Sequence, residues 1–526
     1  MSNWHRHLPN ELDPSEIELT SGETLPTVWV SNWKNEPERT VIHDPSLGWI
    51  TAGDLLDRSE VIARRLAKVG VELGDRVLLS ATSSAELVAA HAAALRLGAV
   101  VVPTNGAYRA DEVTHVISDA RPKIAIVDRP EWSDWIQSCD STVLVTNPSV
   151  DLEDGPSVQL DQIGARASAL IGYTSGTTGL PKGVELTNRN FFSFLPVASE
   201  EWYFDSDSVN LVAMPLFHIA GSGWGVVGLF NGGTNVLLRE ADLVELLQLV
   251  ETYQVTNALL VPAILQFLLI TPEAQETDFS SLRCMIYGAS PITEEVLSAS
   301  MELMGCDFVG AYGLTETTGG GTLLRAEHHD PGGPRAHLLR SAGQPWADIE
   351  LRIVDPETFV DLGDGEVGEI WIKSVVTLKS YWKDPDATDE AYPEGRDAEG
   401  LGWFRTGDAG YMSEGFLFIH DRVKDMIISG AENIYPAEVE NALMSHSDVA
   451  DVAVIGVPDA KWGETVKAII TPAQGTDPSE ADLIEHCRER LAHYKCPTSV
   501  DRLSMIPRNP SGKILKTELR KPYWED

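Results

Sequence analysis

No run of about 18 uninterrupted apolar residues occurs in the sequence, so no membrane-spanning helix is predicted. The two most apolar stretches, 85–103 and 209–232, are broken by Glu86, His91 and Arg96, and by Pro215 and His218, and read as buried core. Cysteine is scarce: Cys139, Cys284, Cys306, Cys487 and Cys496 are scattered, odd in number and without CxxC spacing. That excludes a disulfide framework or a structural zinc site and points to a reducing compartment. The first residues are polar and acidic with no apolar core segment, so no signal peptide is read and a cytoplasmic location is expected. Basic residues are also few, 40 Lys+Arg against 79 Asp+Glu, a net charge of −39. Such a surface repels nucleic acid and anionic membrane, and a polyanionic ligand would need local cations or backbone donors.

What is present is the patterning of a multi-unit α/β protein. A chain of 526 residues exceeds one ordinary core, so two to four folding units are expected. Leu55, Ile62, Leu66 and Val69 fall at helical spacing within 54–69, and Gly70 stops the run. The spacing then predicts a strand over 76–80, a buried helix over 85–97 and a strand over 99–102 ended by Pro103. Strand, helix, strand at this spacing is a βαβ unit and implies parallel pairing. The pattern returns with a helix through Val244, Leu247 and Val250, and strands at 258–261 and 282–287. After Trp346 the reading turns to β, with strands at 350–354 and 368–373. A final unit of roughly 100 residues begins near Asp425, with helices at 437–446 and 480–491 and strands at 449–457 and 466–471. The fold class is therefore α/β: a large N-terminal body of α/β subdomains plus a β-rich subdomain, followed by a small C-terminal α/β lobe.

The strongest chemical signal is Tyr173-Thr-Ser-Gly-Thr-Thr-Gly-Leu-Pro-Lys-Gly183, which leaves a strand predicted over 169–173. Gly176, Gly179 and Gly183 let backbone N–H groups approach an anion. Thr174, Ser175, Thr177 and Thr178 supply hydroxyl donors, and Lys182 adds charge. This is the composition a triphosphate requires. It does not fit the G-x-x-x-x-G-K-[ST] template, because the lysine follows Pro181 and precedes Gly183.

Six further segments follow in order: Pro215-Leu-Phe-His218, Gly288-Ala-Ser290, Tyr312-Gly-Leu-Thr-Glu-Thr317, Trp403-Phe-Arg-Thr-Gly-Asp408, Asp421-Arg-Val-Lys-Asp-Met426 and Pro507-Arg-Asn-Pro-Ser-Gly-Lys513. With the glycine/threonine loop, over nearly the whole chain, they resemble the adenylate-forming (ANL) superfamily of acyl-CoA synthetases, peptide-synthetase adenylation domains and beetle luciferases. The acyl-CoA synthetase, or fatty-acid–CoA ligase, branch is the nearest resemblance. It implies ATP-dependent activation of a carboxylic acid through an acyl-adenylate and transfer of the acyl group to a thiol.

The resemblance also implies roles. Glu316, a hard oxygen ligand, would pair with Thr174 as the Mg²⁺ site bridging the ATP phosphates. Gly288, Ala289, Ser290, Tyr312, Gly313 and Thr315 would flank the adenosine, Asp408 would accept the ribose hydroxyls, and Arg422 would reach ribose or phosphate. Lys513 would stabilise the charge that builds as the carboxylate attacks the α-phosphorus, and His218 would stand where the acyl pocket meets the thiol tunnel. Lys424 would be the hinge between an N-terminal domain of 1–423 and a mobile lobe of 425–526. Gly430, Ala431, Trp462, Tyr494 and Lys495 would line the coenzyme A path. Ala431 departs from the second glycine common at that point and adds a methyl group where pantetheine passes.

Trp224, Leu259, Tyr287, Ala311, Gly313 and Gly319, with His218, are the implied acyl-pocket residues. They are apolar or small, with no acid for an amino group and no arginine for a second carboxylate. The expected substrates are a medium- or long-chain fatty acid, ATP and coenzyme A; an aryl acid, or a carrier-protein phosphopantetheine as acceptor, is the alternative. A homodimer is left open.

Overall fold

The computed structural model describes residues 24–174, 181–346, 348–422, 425–429, 432–459, 461–508 and 513–524. Among the described residues, strands form four sheets. In the nine-stranded sheet, strands Thr40–Asp44, Thr234–Leu237, Val209–Val212, Asn257–Leu260, Cys284–Gly288 and Asp307–Tyr312 run parallel side by side. Antiparallel strands Gly48–Thr51 at one margin, and Thr322–Leu324 and Gln344–Pro345 at the other, complete it. The seven-stranded sheet has a parallel core of Ser168–Thr174, Val100–Pro103, Arg76–Ser80, Ile124–Val127 and Leu144–Thr146.

The βαβ reading is realised to the residue at strand Arg76–Ser80 and helix Ala85–Leu97. Every described residue of that strand beyond Arg76 is buried, as expected for a strand covered on both faces. Helix Ala52–Lys68 starts two residues before its predicted first residue. Thr51 caps it by accepting from the Asp54 N–H at 3.1 Å, and Asp54 accepts from the Thr51 N–H at 3.2 Å, a reciprocal cap. Leu55, Ile62 and Leu66 are all but inaccessible, which gives each roughly 1.5–3 kcal/mol of hydrophobic stabilisation.

Pro103 closes strand Val100–Pro103 instead of following it, because a strand's last residue needs no further ladder donor. The segment after His218, part of the 209–232 stretch read only as buried core, is the helix Ile219–Phe230.

The β-rich region predicted after Trp346 is a four-stranded antiparallel sheet of Glu350–Val354, Gly368–Lys373, Phe404–Ser413 and Phe416–Arg422. The last unit folds around strands Val449–Asp459 and Gly463–Pro472, packed by helix Pro436–Met444 and by helix Lys516–Trp524. Its predicted helix over 480–491 stops at Arg488. No helix among the described residues is long and apolar enough to cross a membrane.

Candidate active site

A cleft of about 640 Å³ opens along the carboxyl ends of strands from both parallel sheets, the edge where open α/β sheets bind ligands. Thr174 ends its strand there, His218 follows strand Val209–Val212, and Leu259, Tyr287, Gly288 and Ala311 lie at or near the ends of theirs. Arg508, Lys513 and Leu515 of the last unit form the facing wall.

The strands on either side of the glycine/threonine loop pair with each other. Strand Ser168–Thr174 pairs antiparallel with strand Lys182–Thr187, and Thr174 is the register partner of Lys182. That explains the misfit to the strand–loop–helix template: the chain turns back into the same sheet. His115 Nε2 donates to the Pro181 carbonyl at 2.7 Å, and the Tyr173 hydroxyl donates to Asp119 at 2.6 Å, fixing both shoulders of the turn. Burial and the Asp119 carboxylate hold the Tyr173 phenol far above its ordinary range, so it remains a donor.

Glu316 reaches the same point from a 3-10 turn, Thr315–Thr317. Its Oε1 accepts from the Thr174 hydroxyl and from the Tyr381 hydroxyl, each at 3.3 Å. Lys182 Nζ lies 5.2 Å from the centre of the Tyr381 ring, a cation–π contact. One carboxylate and one hydroxyl are a poor cage for a bare cation. No group of three or more His, Cys, Asp or Glu side chains among the described residues could hold one. They suit Mg²⁺, which keeps several waters and takes its other ligands from substrate phosphates.

His218 caps the helix Ile219–Phe230: the Ala220 N–H donates to His218 Nδ1 at 3.1 Å. A backbone N–H can only donate, so Nδ1 is unprotonated and the proton of the neutral ring is on Nε2. Burial, and then the charge of Lys513, push His218 down to about 4, so it is neutral at physiological pH. The same coupling places Lys513 within electrostatic reach of His218 across the cleft.

Gly288 and Ala289 line the cleft, Ala289 with a left-handed φ of 66°. A Cβ on Gly288 would stand 2.2 Å from the Ala311 carbonyl oxygen, so only glycine lets these strands approach. Gly313 and Thr315 also line it, whereas Ser290 does not. Tyr312 and Asp408 are bonded to each other, phenol to carboxylate at 2.8 Å, beside lining residues Gly313, Thr406 and Gly407. Glu369, nearly inaccessible, aligns that turn: it accepts from Arg405 at 2.8 Å and from the Gly407 N–H at 3.2 Å.

The apolar corner contains Trp224, Leu259, Tyr287, Ala311, Gly313 and Gly319, all of them lining residues. Trp224 donates its indole N–H to the Leu211 carbonyl at 2.9 Å and so presents only carbon surface. Trp202 packs on it at 5.4 Å between ring centroids and Phe194 packs on Trp202 at 5.6 Å. The Tyr287 hydroxyl pairs with His329 at 2.9 Å.

Trp462, Tyr494 and Lys495 are not brought to the cleft. Trp462 and Tyr494 are exposed on the last unit, and Lys495 is paired with Glu438 at 2.7 Å. Ser175, Gly176, Thr177, Thr178, Gly179, Lys424, Gly430 and Ala431 lie outside the described residues, as does the Arg422 side chain. Sequence reasoning missed Glu369, Tyr381, Phe194 and Trp202. Arg405 stood inside a recognised segment and was given no role; the others had no local signal.

Comparison with known proteins agrees with this geometry. The AMP-binding enzyme family matches residues 29–382, and its C-terminal domain family matches 438–513. The fatty acid–[acyl-carrier-protein] ligase ScoC of Streptomyces coeruleorubidus is 35% identical over 491 residues, 91% of this chain and 92% of that protein. The long-chain-fatty-acid–CoA ligase FadD13 of Mycobacterium tuberculosis is 37% identical over 484 residues, 87% of this chain and 90% of that protein. The crystal structure of ATP-bound MatB from Rhodopseudomonas palustris is 29% identical and superposes with a TM-score of 0.86, covering 96% of this chain and 99% of that one. The chain belongs to the AMP-binding enzyme family, in the acyl-CoA synthetase branch of the adenylate-forming superfamily. It is an AMP-forming acid–thiol ligase that uses ATP.

Proposed function

We propose that the enzyme activates a medium- or long-chain fatty acid with ATP and transfers the acyl group to coenzyme A, releasing AMP and pyrophosphate. The observation that carries this is one cleft holding Thr174, Lys182, Glu316 and Lys513 together with a corner walled by Trp224, Trp202, Phe194 and Leu259. That corner has no charged group for an amino function or a second carboxylate, so its partner is the apolar part of a monocarboxylic acid.

In the first half-reaction a carboxylate oxygen attacks the α-phosphorus and the bond to pyrophosphate breaks. Lys513 meets the charge that gathers on the α-phosphoryl oxygens, and Lys182 with the Thr174 hydroxyl holds the phosphates that leave. Thr174 and Glu316 would hold Mg²⁺, which when bound neutralises phosphate charge. Asp408, oriented by the Tyr312 hydroxyl, accepts from the ribose. Neutral His218 positions the carboxylate by donating from Nε2. In the second half-reaction the thiolate attacks the acyl carbonyl carbon and AMP departs.

Rotation about Lys424, dividing a body of 1–423 from a lobe of 425–526, would withdraw Lys513 and bring Trp462, Tyr494 and Lys495 to the cleft for the thiol. The aromatic wall favours a second reading, an aryl acid, through edge-to-face packing. The test supplies ATP, Mg²⁺ and coenzyme A with fatty acids of graded length and with aryl acids. Acyl-CoA equal to AMP, greatest with medium or long chains, is the expected result. Pyrophosphate without acyl-CoA would move the acceptor to a carrier protein.

A further inference from the structure

A second, much smaller cavity of about 40 Å³ lies behind the cleft, on the far side of helix Ile219–Phe230, with room for a terminal carbon and its oxygen. Ile219, Ala220 and Gly223 of that helix line the cleft, while Ser222, Gly225, Val226 and Leu229 line the rear cavity at the i, i+3, i+4, i+7 spacing of one helix face. Pro103 and Phe217 line both spaces, so the Phe217 ring and the helix form the partition between them.

The helix carries four glycines in twelve residues, although glycine is unfavourable in a helix interior relative to alanine. Packing accounts for two. A Cβ on Gly221 would stand 2.1 Å from the Pro215 carbonyl oxygen, and one on Gly228 would stand 2.2 Å from Asn235 Oδ1. The other two are not required by packing: a Cβ on Gly223 would meet nothing nearer than 3.9 Å, and one on Gly225 nothing nearer than 3.7 Å. Glycine at 223 therefore leaves room in the cleft, and glycine at 225 leaves room in the rear cavity.

The rear walls are mostly apolar: Ser222 and Asn235 spend their polar atoms on His218, Gly225 and Asn210, and one imidazole stands out. His91 projects from helix Ala85–Leu97 and no group among the described residues hydrogen-bonds its ring. Burial alone pushes it down to about 4, so it is neutral and offers one donor and one acceptor. Trp29 lines the same cavity and its indole N–H is buried without a partner among the described residues. A polar group left unpartnered in an apolar wall is unfavourable, and a ligand oxygen delivered there would relieve it.

We propose that the rear cavity receives only the last carbon of the acyl chain, past Phe217, and that His91 hydrogen-bonds an oxygen carried there. The substrate class is then a long apolar monocarboxylic acid with a hydroxyl, keto or ether oxygen remote from the carboxylate. This rests on the fatty-acid ligase reading above and narrows it.

The experiment measures pyrophosphate release by the full chain with ATP, Mg²⁺ and coenzyme A, so that the enzyme turns over, on paired acids of C8 to C18, each with and without a hydroxyl on the terminal or penultimate carbon. At one or more lengths the hydroxy acid is expected to exceed its parent in kcat/KM by about tenfold, the size of one well-made hydrogen bond. His91→Leu should erase that ratio, and His91→Gln should retain most of it, which a merely structural role for His91 would not produce. Gly225→Leu, filling the rear cavity, should shorten the longest acid used. A ratio at or below one at every length, or the same ratio in His91→Leu as in the parent enzyme, would overturn the proposal. Activity on unsubstituted acids alone leaves the ligase reading standing and removes this one. No pyrophosphate with any acid removes both.

Discussion

Thr174 and Lys182 face each other across the strand pair that flanks the glycine/threonine loop, in direct antiparallel register. Directly opposed residues have Cβ atoms only about 4.5–5.5 Å apart. A hydroxyl and an ammonium eight positions apart in sequence thus enter the cleft as neighbours, and Glu316 joins them through the 3.3 Å contact to Thr174.

Lys513 is the cation contributed by the last unit at the point where His218 senses its charge. Lys513→Ala is expected to slow adenylate formation by ~10²–10³-fold, or about 3–4 kcal/mol, by removing transition-state stabilisation. Transfer to coenzyme A from acyl-adenylate supplied ready-made should keep most of its rate. Equal losses in both half-reactions, measured separately by rapid quench, would count against the assignment.

Glu316→Gln should raise the Mg²⁺ concentration needed for half-maximal rate by more than about tenfold, and Tyr381→Phe, which only supports Glu316 Oε1, by about tenfold or less. Titrating Mg²⁺ at fixed ATP distinguishes the two. An unaltered Mg²⁺ curve in Glu316→Gln would show that the carboxylate serves elsewhere.

His91, His218 and His329 are all held down to about 4 by burial, against an ordinary value of 6.5. The folded chain keeps them neutral, while the unfolded chain takes up protons as pH falls below the ordinary value. Stability is therefore undiminished above about pH 6.5 and is lost as pH falls toward about 4, each histidine adding up to about 1.4 kcal/mol per pH unit. Urea unfolding at several pH values checks this, and His91→Leu should remove about a third of the part of the slope that these three histidines supply.

The net charge of −39 makes the folded chain repel itself. Raising ionic strength from about 0.01 M to about 1 M shortens the screening length from about 30 Å to about 3 Å. The thermal midpoint should rise over that range with KCl. A midpoint that is flat or falls with salt would show that local ion pairs outweigh the global repulsion.

Where local pattern and tertiary packing agreed, the sequence was readable to the residue. Strand Arg76–Ser80 and helix Ala85–Leu97 had uniform apolar character and clear punctuation, Ser84 capping the helix and Gly98 ending it in the left-handed region. Helix Ile219–Phe230 escaped because four glycines lower its intrinsic propensity. Close contacts of Gly221 with Pro215 and of Gly228 with Asn235 override that weakness, and no local rule reveals them. Thr174, Lys182, Glu316, His218 and Lys513 were legible because each sits in a recognisable segment. Tyr381, Glu369 and Trp202 arrive at the cleft only through folding, from segments with no pattern of their own.

Arg508, Lys513 and Leu515 close one side of the cleft while Trp462 and Tyr494 stay outside it. Under the proposed assignment the same wall cannot serve activation and thiol capture at once, and that imposes an order in time. Pyrophosphate must leave before the thiol arrives, so initial rates at varied ATP and varied coenzyme A should give parallel reciprocal plots. The activated acid would then wait inside a closed space, shielded from hydrolysis until an acceptor comes.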